Sequence, residues 1–129
     1  WNVSGGSVHQ YGDTNNPKIT VFKAPGGGAS GTIAGAGVLI FDLRNATVDM
    51  QFSGTLTFTG LVILIGNPAG HEVKWRHALP ITGAILLTGT TPKWETSNTL
   101  KVHYSCAAIN MAFQIPKLHG NYIVADWWE

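Results

Sequence analysis

The sequence predicts an all-β protein, a short β-solenoid in which coils of about 23 residues form a β-helix-like stack with a short C-terminal helix. The first observation is that Gly37, Gly60 and Gly83 stand at equal intervals, each followed by an aliphatic run. The second is that only 12% of the 129 residues are charged, about half the fraction usual in soluble domains. A solenoid coil buries its apolar face by stacking on the next coil, which accounts for both observations.

The repeat predicts that the three glycines lie beside one another in parallel strands of neighbouring coils. A further interval of the same length ends at Cys106, so we expect a fourth copy there, with Val102 and Tyr104 as its apolar residues. Two internal ladders are also expected: Leu39, Val62 and Ile85 in one, and Ile33, Leu56 and Leu79 in the other.

The chain has the length of a single domain, which its composition divides into two parts. Residues 1–31 are rich in Gly, Ser and Asn and contain one predicted strand, residues 18–23, which is ended by Pro25 and a run of three glycines. This run favours a turn, because glycine adopts backbone conformations that other residues avoid. Residues 32–129 are the predicted β-solenoid-like domain.

The aliphatic runs after the three glycines are apolar on both faces of a strand, which predicts that a further element covers the outer face. Residues 105–114 are one candidate, because Cys106, Ile109 and Phe113 have helical spacing and Pro116 would end the helix. An N-terminal helix outside this sequence and a partner subunit are the alternatives. The single cysteine excludes an internal disulfide, and we expect Cys106 to be a small buried core residue.

Two segments, residues 67–78 and 89–98, are expected to leave the stack as loops, where binding residues concentrate. They carry the predicted polymer-binding residues Lys74, Trp75, Arg76, Lys93 and Trp94. Indole rings stack on sugar or base faces and cations contact phosphate, so this surface predicts binding of a glycan or of single-stranded nucleic acid. The alternative is that both tryptophans fold back over the edge of a coil while the charges stay in water.

The sequence shows no pattern that predicts a catalytic centre, and we expect no cofactor and no metal. The seven acidic residues are too few and too scattered to indicate the paired carboxylates of a glycosidase. His71, Glu72 and His77 lie close together in sequence, but their spacing fits no standard zinc motif. The net charge of +1 predicts no general affinity for nucleic acid, so such binding would need a local patch.

Several stretches carry a resemblance to a known family: residues 37–40, 52–66, 81–87 and 100–109, and the closing Asp-Trp-Trp-Glu at 126–129. The most specific part is Tyr104-Ser105-Cys106-Ala107, with Trp127 and Glu129 at the end. Through these motifs, residues 32–129 resemble the C-terminal β-solenoid region of prepilin-like type IV pilus accessory (minor-pilin-like) proteins. The sequence differs from that family at Trp128, where the family has a basic residue.

The resemblance implies a non-enzymatic, extracellular domain at the cell surface that acts in pilus assembly, adhesion or DNA capture. Other pilus or cell-surface subunits are the implied partners, with DNA or a glycan as further ligands. An N-terminal membrane or filament anchor is expected outside this sequence, which begins at Trp1 rather than Met. Two alternatives are a carbohydrate-binding module that uses Trp75 and Trp94, and a truncated β-helix enzyme that acts on polysaccharide.

Overall fold

The computed structural model describes residues 8–23, 27–29, 32–77, 79–96, 100–114 and 123–126. These residues form a β-solenoid of about 4 turns, built from parallel stacked strands with one short helix, as the sequence predicts. The strands are β1 (Val8–Tyr11), β2 (Lys18–Lys23), β3 (Gly27–Ala29), β4 (Thr32–Asp42), β5 (Met50–Phe52), β6 (Leu56–Gly66), β7 (Val73–Trp75), β8 (Leu79–Gly89), β9 (Trp94–Thr96), β10 (Leu100–Tyr104) and β11 (Ile123–Asp126), and the helix is α1 (Cys106–Phe113).

The strands form two sheets, and every pair of neighbours is parallel. The large sheet has the order β10, β8, β6, β4, β2, β11, with β1 also beside β4. The small sheet has the order β3, β5, β7, β9. Each coil therefore contributes to both sheets: β1 to β3 form the first, β4 and β5 the second, β6 and β7 the third, and β8 and β9 the fourth.

The predicted register is confirmed. Gly37 pairs with Gly60 and Gly60 with Gly83, and two positions further on Val62 pairs with both Leu39 and Ile85. Leu39 and Val62 are fully buried, whereas Ile85 is half-buried because it belongs to the last complete coil. The second ladder is buried throughout: Ile33, Leu56 and Leu79.

The three paired glycines form a column, here called the glycine column, that interrupts the long strands β4, β6 and β8. Their φ angles are 119°, 133° and 137°, a region that L-residues with side chains rarely adopt. A Cβ on Gly60 would also collide with the carbonyl oxygen of Gly37, and one on Gly83 would collide with that of Gly60. All three positions require glycine for its conformation, and Gly60 and Gly83 require it also for the close approach of the preceding coil.

The expected fourth copy at Cys106 is wrong by two residues. Tyr104, not Cys106, pairs with Gly83, so the step from Gly83 to Tyr104 is two residues shorter than the step from Gly60 to Gly83. Tyr104 does not have the positive φ of the glycine column, since Thr91 is the only described non-glycine residue with a positive φ. The chain leaves the large sheet at this point.

Ser105 converts the end of β10 into the start of a helix. Its backbone N–H still donates to the carbonyl oxygen of Gly83 at 3.3 Å. Its side-chain hydroxyl accepts a hydrogen bond from the Ala108 N–H at 3.1 Å, which caps the N-terminus of α1. The stack thus ends where a residue with a side chain takes the place of glycine.

The N-terminal segment is a full coil, which corrects the expectation of one strand in residues 1–31. The strand at Lys18–Lys23 is confirmed, but β1 and β3 accompany it in the described part of this segment. Gly27 and Gly28, expected in a turn, lie in β3 and pair with Met50 and Gln51. Glycine has no side chain to alternate between faces, so the hydrophobic pattern contains no signal for this strand.

The main core lies between the two sheets and contains large apolar side chains from every described coil. A second apolar cluster lies on the opposite face of the large sheet, under α1, and confirms that residues 105–114 cover that face. Its buried members are Ile19, Val38 and Ala112, with Val21, Ile40, Leu61 and Ile63 packed against them. No helix among the described residues is long and apolar enough to span a membrane.

The helix uses a different face from the one predicted. Ala108 and Ala112 are its buried residues, whereas Phe113 is 58% exposed and Cys106 is also exposed. Two alanines one turn apart leave little side-chain bulk between the helix and the large sheet. The expectation that Cys106 is a buried core residue is therefore wrong.

We predict that Leu64→Ala lowers the free energy of unfolding by about 2–5 kcal/mol, because Leu64 is fully buried between complete coils. Its paired neighbour Leu87 is 47% exposed at the end of the stack. Leu87→Ala is the matched control and should cost about 1 kcal/mol or less. Denaturant melts of both variants measure the difference, and equal losses would contradict this assignment of inside and outside.

We also predict that Gly60→Ala destabilises the fold by about 3 kcal/mol or more, because it adds a backbone collision to a strained φ. Gly70→Ala provides the control. Gly70 also has a positive φ, but a Cβ there would meet only the side chain of Lys93, so the cost should be about 1–2 kcal/mol. Thermal or denaturant melts that rank the two variants in the opposite order would refute the steric role of the glycine column.

Candidate functional site

The outer face of the small sheet carries the sequence-predicted residue Lys74. The central residues of β5, β7 and β9 are Gln51, Lys74 and Glu95, which pair in register and are exposed or half-buried. The flanking residues of β5 and β7 are buried, as strict alternation requires. This alternation places a row of polar side chains on the surface and an apolar row in the core.

A pocket of about 350 Å³ opens on this face. It is lined by the three polar residues of the row together with Trp75 and Arg76. Gln51, Lys74, Arg76 and Glu95 supply hydrogen-bonding groups of both charge signs, so the pocket is polar, with two cations and one carboxylate in its lining. The structure thus brings Lys74 and Arg76 together, as the sequence predicts, but beside a carboxylate.

Lys74 forms ion pairs with two further carboxylates. Its Nζ lies 3.2 Å from Glu72 Oε1 and 3.3 Å from Asp49 Oδ2. Hydrogen bonds to Glu72 and then to Asp49 raise the pKa of Lys74 above its usual value. This cation is therefore already balanced by the protein's own acids, which weakens it as a phosphate contact.

Asp49 is the centre of this polar group. Its Oδ1 accepts a hydrogen bond from the Glu72 N–H at 2.9 Å and lies 3.4 Å from His71 Nδ1. Burial acts to raise the pKa of Asp49, but the hydrogen bonds from the Glu72 backbone and from Lys74 outweigh it and hold that pKa below its usual value. Asp49 thereby links the connection before β5 to the connection before β7.

Trp75 is part of the core and not of a binding loop, which corrects the sequence prediction. It is only 1% exposed, and its ring stacks on Phe52 with a centroid distance of 4.2 Å and an interplanar angle of 10°. The segment expected to be a loop contains β7, in which Val73 and Trp75 share the inward face. An aromatic ring in this position cannot stack on a polymer.

Trp94 is likewise directed inward from β9. Its ring is half-buried, lies 6.2 Å from that of Trp75, and meets Phe41 edge to face at 5.7 Å. The indole Nε1 is buried and has no hydrogen-bond partner among the described residues. The alternative prediction is therefore correct only in that both indoles turn inward, since they do so from strands β7 and β9 and not from loops that fold over a coil edge.

Arg76 and Lys93 are the predicted cations that stay exposed. Within the described part of the chain, neither side chain forms an ion pair. Arg76 follows β7 and lines the pocket, whereas the Lys93 side chain lies beside Gly70, in the connection before β7. Of the five predicted residues, these two retain the properties that the prediction assigned to them.

Sequence reasoning missed Asp49, Gln51 and Glu95 as neighbours of Lys74. The signal was present in part, because Met-Gln-Phe at 50–52 and Val-Lys-Trp at 73–75 have the same apolar–polar–apolar pattern, at the spacing of the glycine column. The third member, Trp-Glu-Thr at 94–96, comes two residues earlier than this spacing predicts and ends in a polar residue. Because of that shift, the repeat did not predict β9, and the row formed by Gln51, Lys74 and Glu95 was not recognised.

Cys106 lies on the surface at the opposite side of the fold, where α1 begins. A hydrogen bond joins its Sγ and the Tyr104 hydroxyl at 3.5 Å, and the interaction with Cys106 raises the pKa of Tyr104 above its usual value. Tyr104 is itself 73% exposed. The most specific motif of the sequence therefore forms the turn between the last strand of the stack and the helix.

The chain was compared with family models, with curated proteins and with solved structures, and none of the three comparisons found a match.

We predict that Asp49→Asn reduces the loss of stability on acidification. Because the pKa of Asp49 is lower in the folded state, its stabilisation is complete above the usual value of 3.8 and is lost as the pH falls through the lower folded value. Lys74→Gln, which removes one cause of the lowered pKa, should produce a smaller change in the same direction. Urea melts between pH 7 and pH 2 measure this dependence, and a pH profile unchanged in Asp49→Asn would contradict the prediction.

Proposed function

We propose that this chain is the non-enzymatic, cell-surface domain of a type IV pilus-associated, minor-pilin-like protein. The observation that carries the proposal is the described stack of parallel coils, because the sequence resemblance implies a C-terminal β-solenoid over residues 32–129, and the described part of that range forms most of the stack. In this role the domain is a scaffold that presents surfaces to other subunits of the pilus or of the cell surface.

The placement of the most specific motif supports the proposal. Tyr104, Ser105 and Cys106 end the stack and cap the helix that covers the large sheet. A motif with this position serves the architecture of the domain, which is the property that a scaffold depends on.

The packing of the domain also suits a scaffold. Aromatic rings stack along the coil axis, with Phe22 on Phe41 at 5.6 Å and Phe52 on Trp75 at 4.2 Å, and they join the two sheets through edge-to-face contacts. Such contacts favour a single close-packed core. By contrast, the carbohydrate-binding alternative required the indoles of Trp75 and Trp94 on the surface, and no described observation favours it.

The proposal is tested in the organism that carries the gene, with an antibody raised against the domain. We expect the protein in the fraction of surface filaments released by shearing, and we expect deletion of the gene to lower pilus number, adhesion or DNA uptake. Re-introduction of the gene should restore the lost property. A protein confined to the cytoplasm, together with unchanged piliation, adhesion and uptake in the deletion strain, would overturn the proposal.

If DNA capture is the surface function, Arg76 and Lys93 are the residues that contact phosphate. We predict that the double variant Arg76→Ala, Lys93→Ala binds single-stranded DNA more weakly and lowers the slope of log K against log [salt] by about 1.4, or 0.7 per lost phosphate contact. Lys101→Ala, an exposed cation on β10, is the control. Fluorescence anisotropy at several salt concentrations measures the slope, and a slope unaffected by the double variant would exclude this surface.

A further inference from the structure

At each end of the large sheet, one half of the sheet extends one strand further than the other half, and the half that extends differs between the two ends. The glycine column divides each long strand into a first half and a second half. At the N-terminal end, β1 and β2 both pair with β4, but among the described strands only β2 has a further neighbour, β11, so the second half of the sheet extends one strand further there. At the C-terminal end, β10 pairs with Leu79–Gly83, so the first half projects by one strand.

The recess beside each projection lacks a strand in the part of the chain that the structure describes. Among the described strands, residues 84–89 of β8 pair with β6 alone, and β1 pairs with β4 alone. The C-terminal recess exposes apolar side chains, since Leu86 and Leu87 are 49% and 47% exposed, and Val102 on the adjoining β10 is 42% exposed. Unpaired strand edges of this kind accept a strand from another chain.

We propose that copies of this chain stack head to tail, so that the projection at each end fills the recess at the other. In this arrangement β11 of one copy pairs with the second half of β8 in the preceding copy, and β10 of the preceding copy pairs with β1. A single translation by five strand spacings, roughly 24 Å, satisfies both pairings at once. All strands keep one direction, so the new pairs are parallel like those within each copy.

The registers within one copy define those between copies. Ile123 lies in the same row as Thr20, Leu39, Val62 and Ile85, so β11 of the next copy faces residues 85–88. By the same continuation, Lys101 faces Gln10 of the next copy. In the small sheet this translation leaves the width of one strand between β9 and the next β3, so the large sheet carries the contact.

We infer that the occupant is a second copy of this chain, because the chain's own projecting strands, β10 and β11, fit the two recesses. An unrelated partner would match one end at most, whereas the two steps of this chain match each other in position, direction and size. The contact is heterologous and does not close, so its product is a linear stack rather than a dimer. It rests on the strand pairing alone and is independent of the proposed pilus function.

A disulfide tests the register directly. In a Cys106→Ser background, the double variant Gln10→Cys, Lys101→Cys places one thiol at each end. Within one copy these residues are four strand spacings apart, about 19 Å, which is beyond the reach of a disulfide. Mild oxidation should therefore yield a ladder of dimers, trimers and longer oligomers on a non-reducing gel, whereas either single-cysteine variant should stop at the dimer. Absence of the ladder at millimolar protein concentration would overturn the proposal.

Substitutions that place a charge at the C-terminal end of the stack test the same contact without a cross-link. Leu87→Lys and Val102→Lys place a cation at the C-terminal end, and sedimentation should show the apparent dissociation constant raised at least about tenfold. Val48→Lys is the matched control, because Val48 is also exposed (50%) but lies in the connection before β5, away from both ends. Melting curves confirm that the variants are folded. Self-association that both end variants leave unchanged would refute this geometry.

Discussion

The glycine column is the constraint on which the rest of the structure depends. Neighbouring coils approach so closely along the column that a Cβ on Gly60 or Gly83 would overlap a carbonyl oxygen of the preceding coil. Backbone sterics therefore set the register, and the apolar ladders on either side follow from it. The column also sets the length of the solenoid. At Tyr104 the chain has a side chain where the stack requires none, and it turns into a helix instead of completing another coil.

The helix covers the outer apolar face of the large sheet, and the aromatic side chains fill the space between the two sheets. The strands after the glycine column are apolar on both faces, and α1 removes one of those faces from water through two alanines. On the inner side, three-residue strands bring few side chains to the core, and large rings such as Phe52 and Trp75 fill the space. The tryptophans are among these rings, and the outer face of β5, β7 and β9 carries the polar residues Gln51, Lys74 and Glu95.

The long strands could be predicted from the sequence because their glycines recur at a strictly equal interval and the strands are long enough to show it. The position of the helix was also predictable, since doubly apolar strands require a cover. The small sheet was not, because a strand such as Trp94–Thr96 is too short to display a period and begins two residues earlier than the repeat predicts. Because the short strands were not predicted, Trp75 was expected in a loop and not in β7. The cations of the candidate site were identified correctly, but the acids that balance Lys74 were missed, although Asp49 and Glu72 stand 23 residues apart, at the interval of the glycine column.

The pairing of β11 with β2 has a consequence for the order in which the fold can form. The coils are sequential, so each can stack on the one before it as soon as both have been synthesised. Strand β2 is different, because the strand that covers its outer edge is separated from it by about a hundred residues of chain. Contacts of such long sequence separation form slowly. Among the described coils, the one synthesised first is thus the last to be covered, and the edge of β2 stays exposed until residues 123–126 have been synthesised.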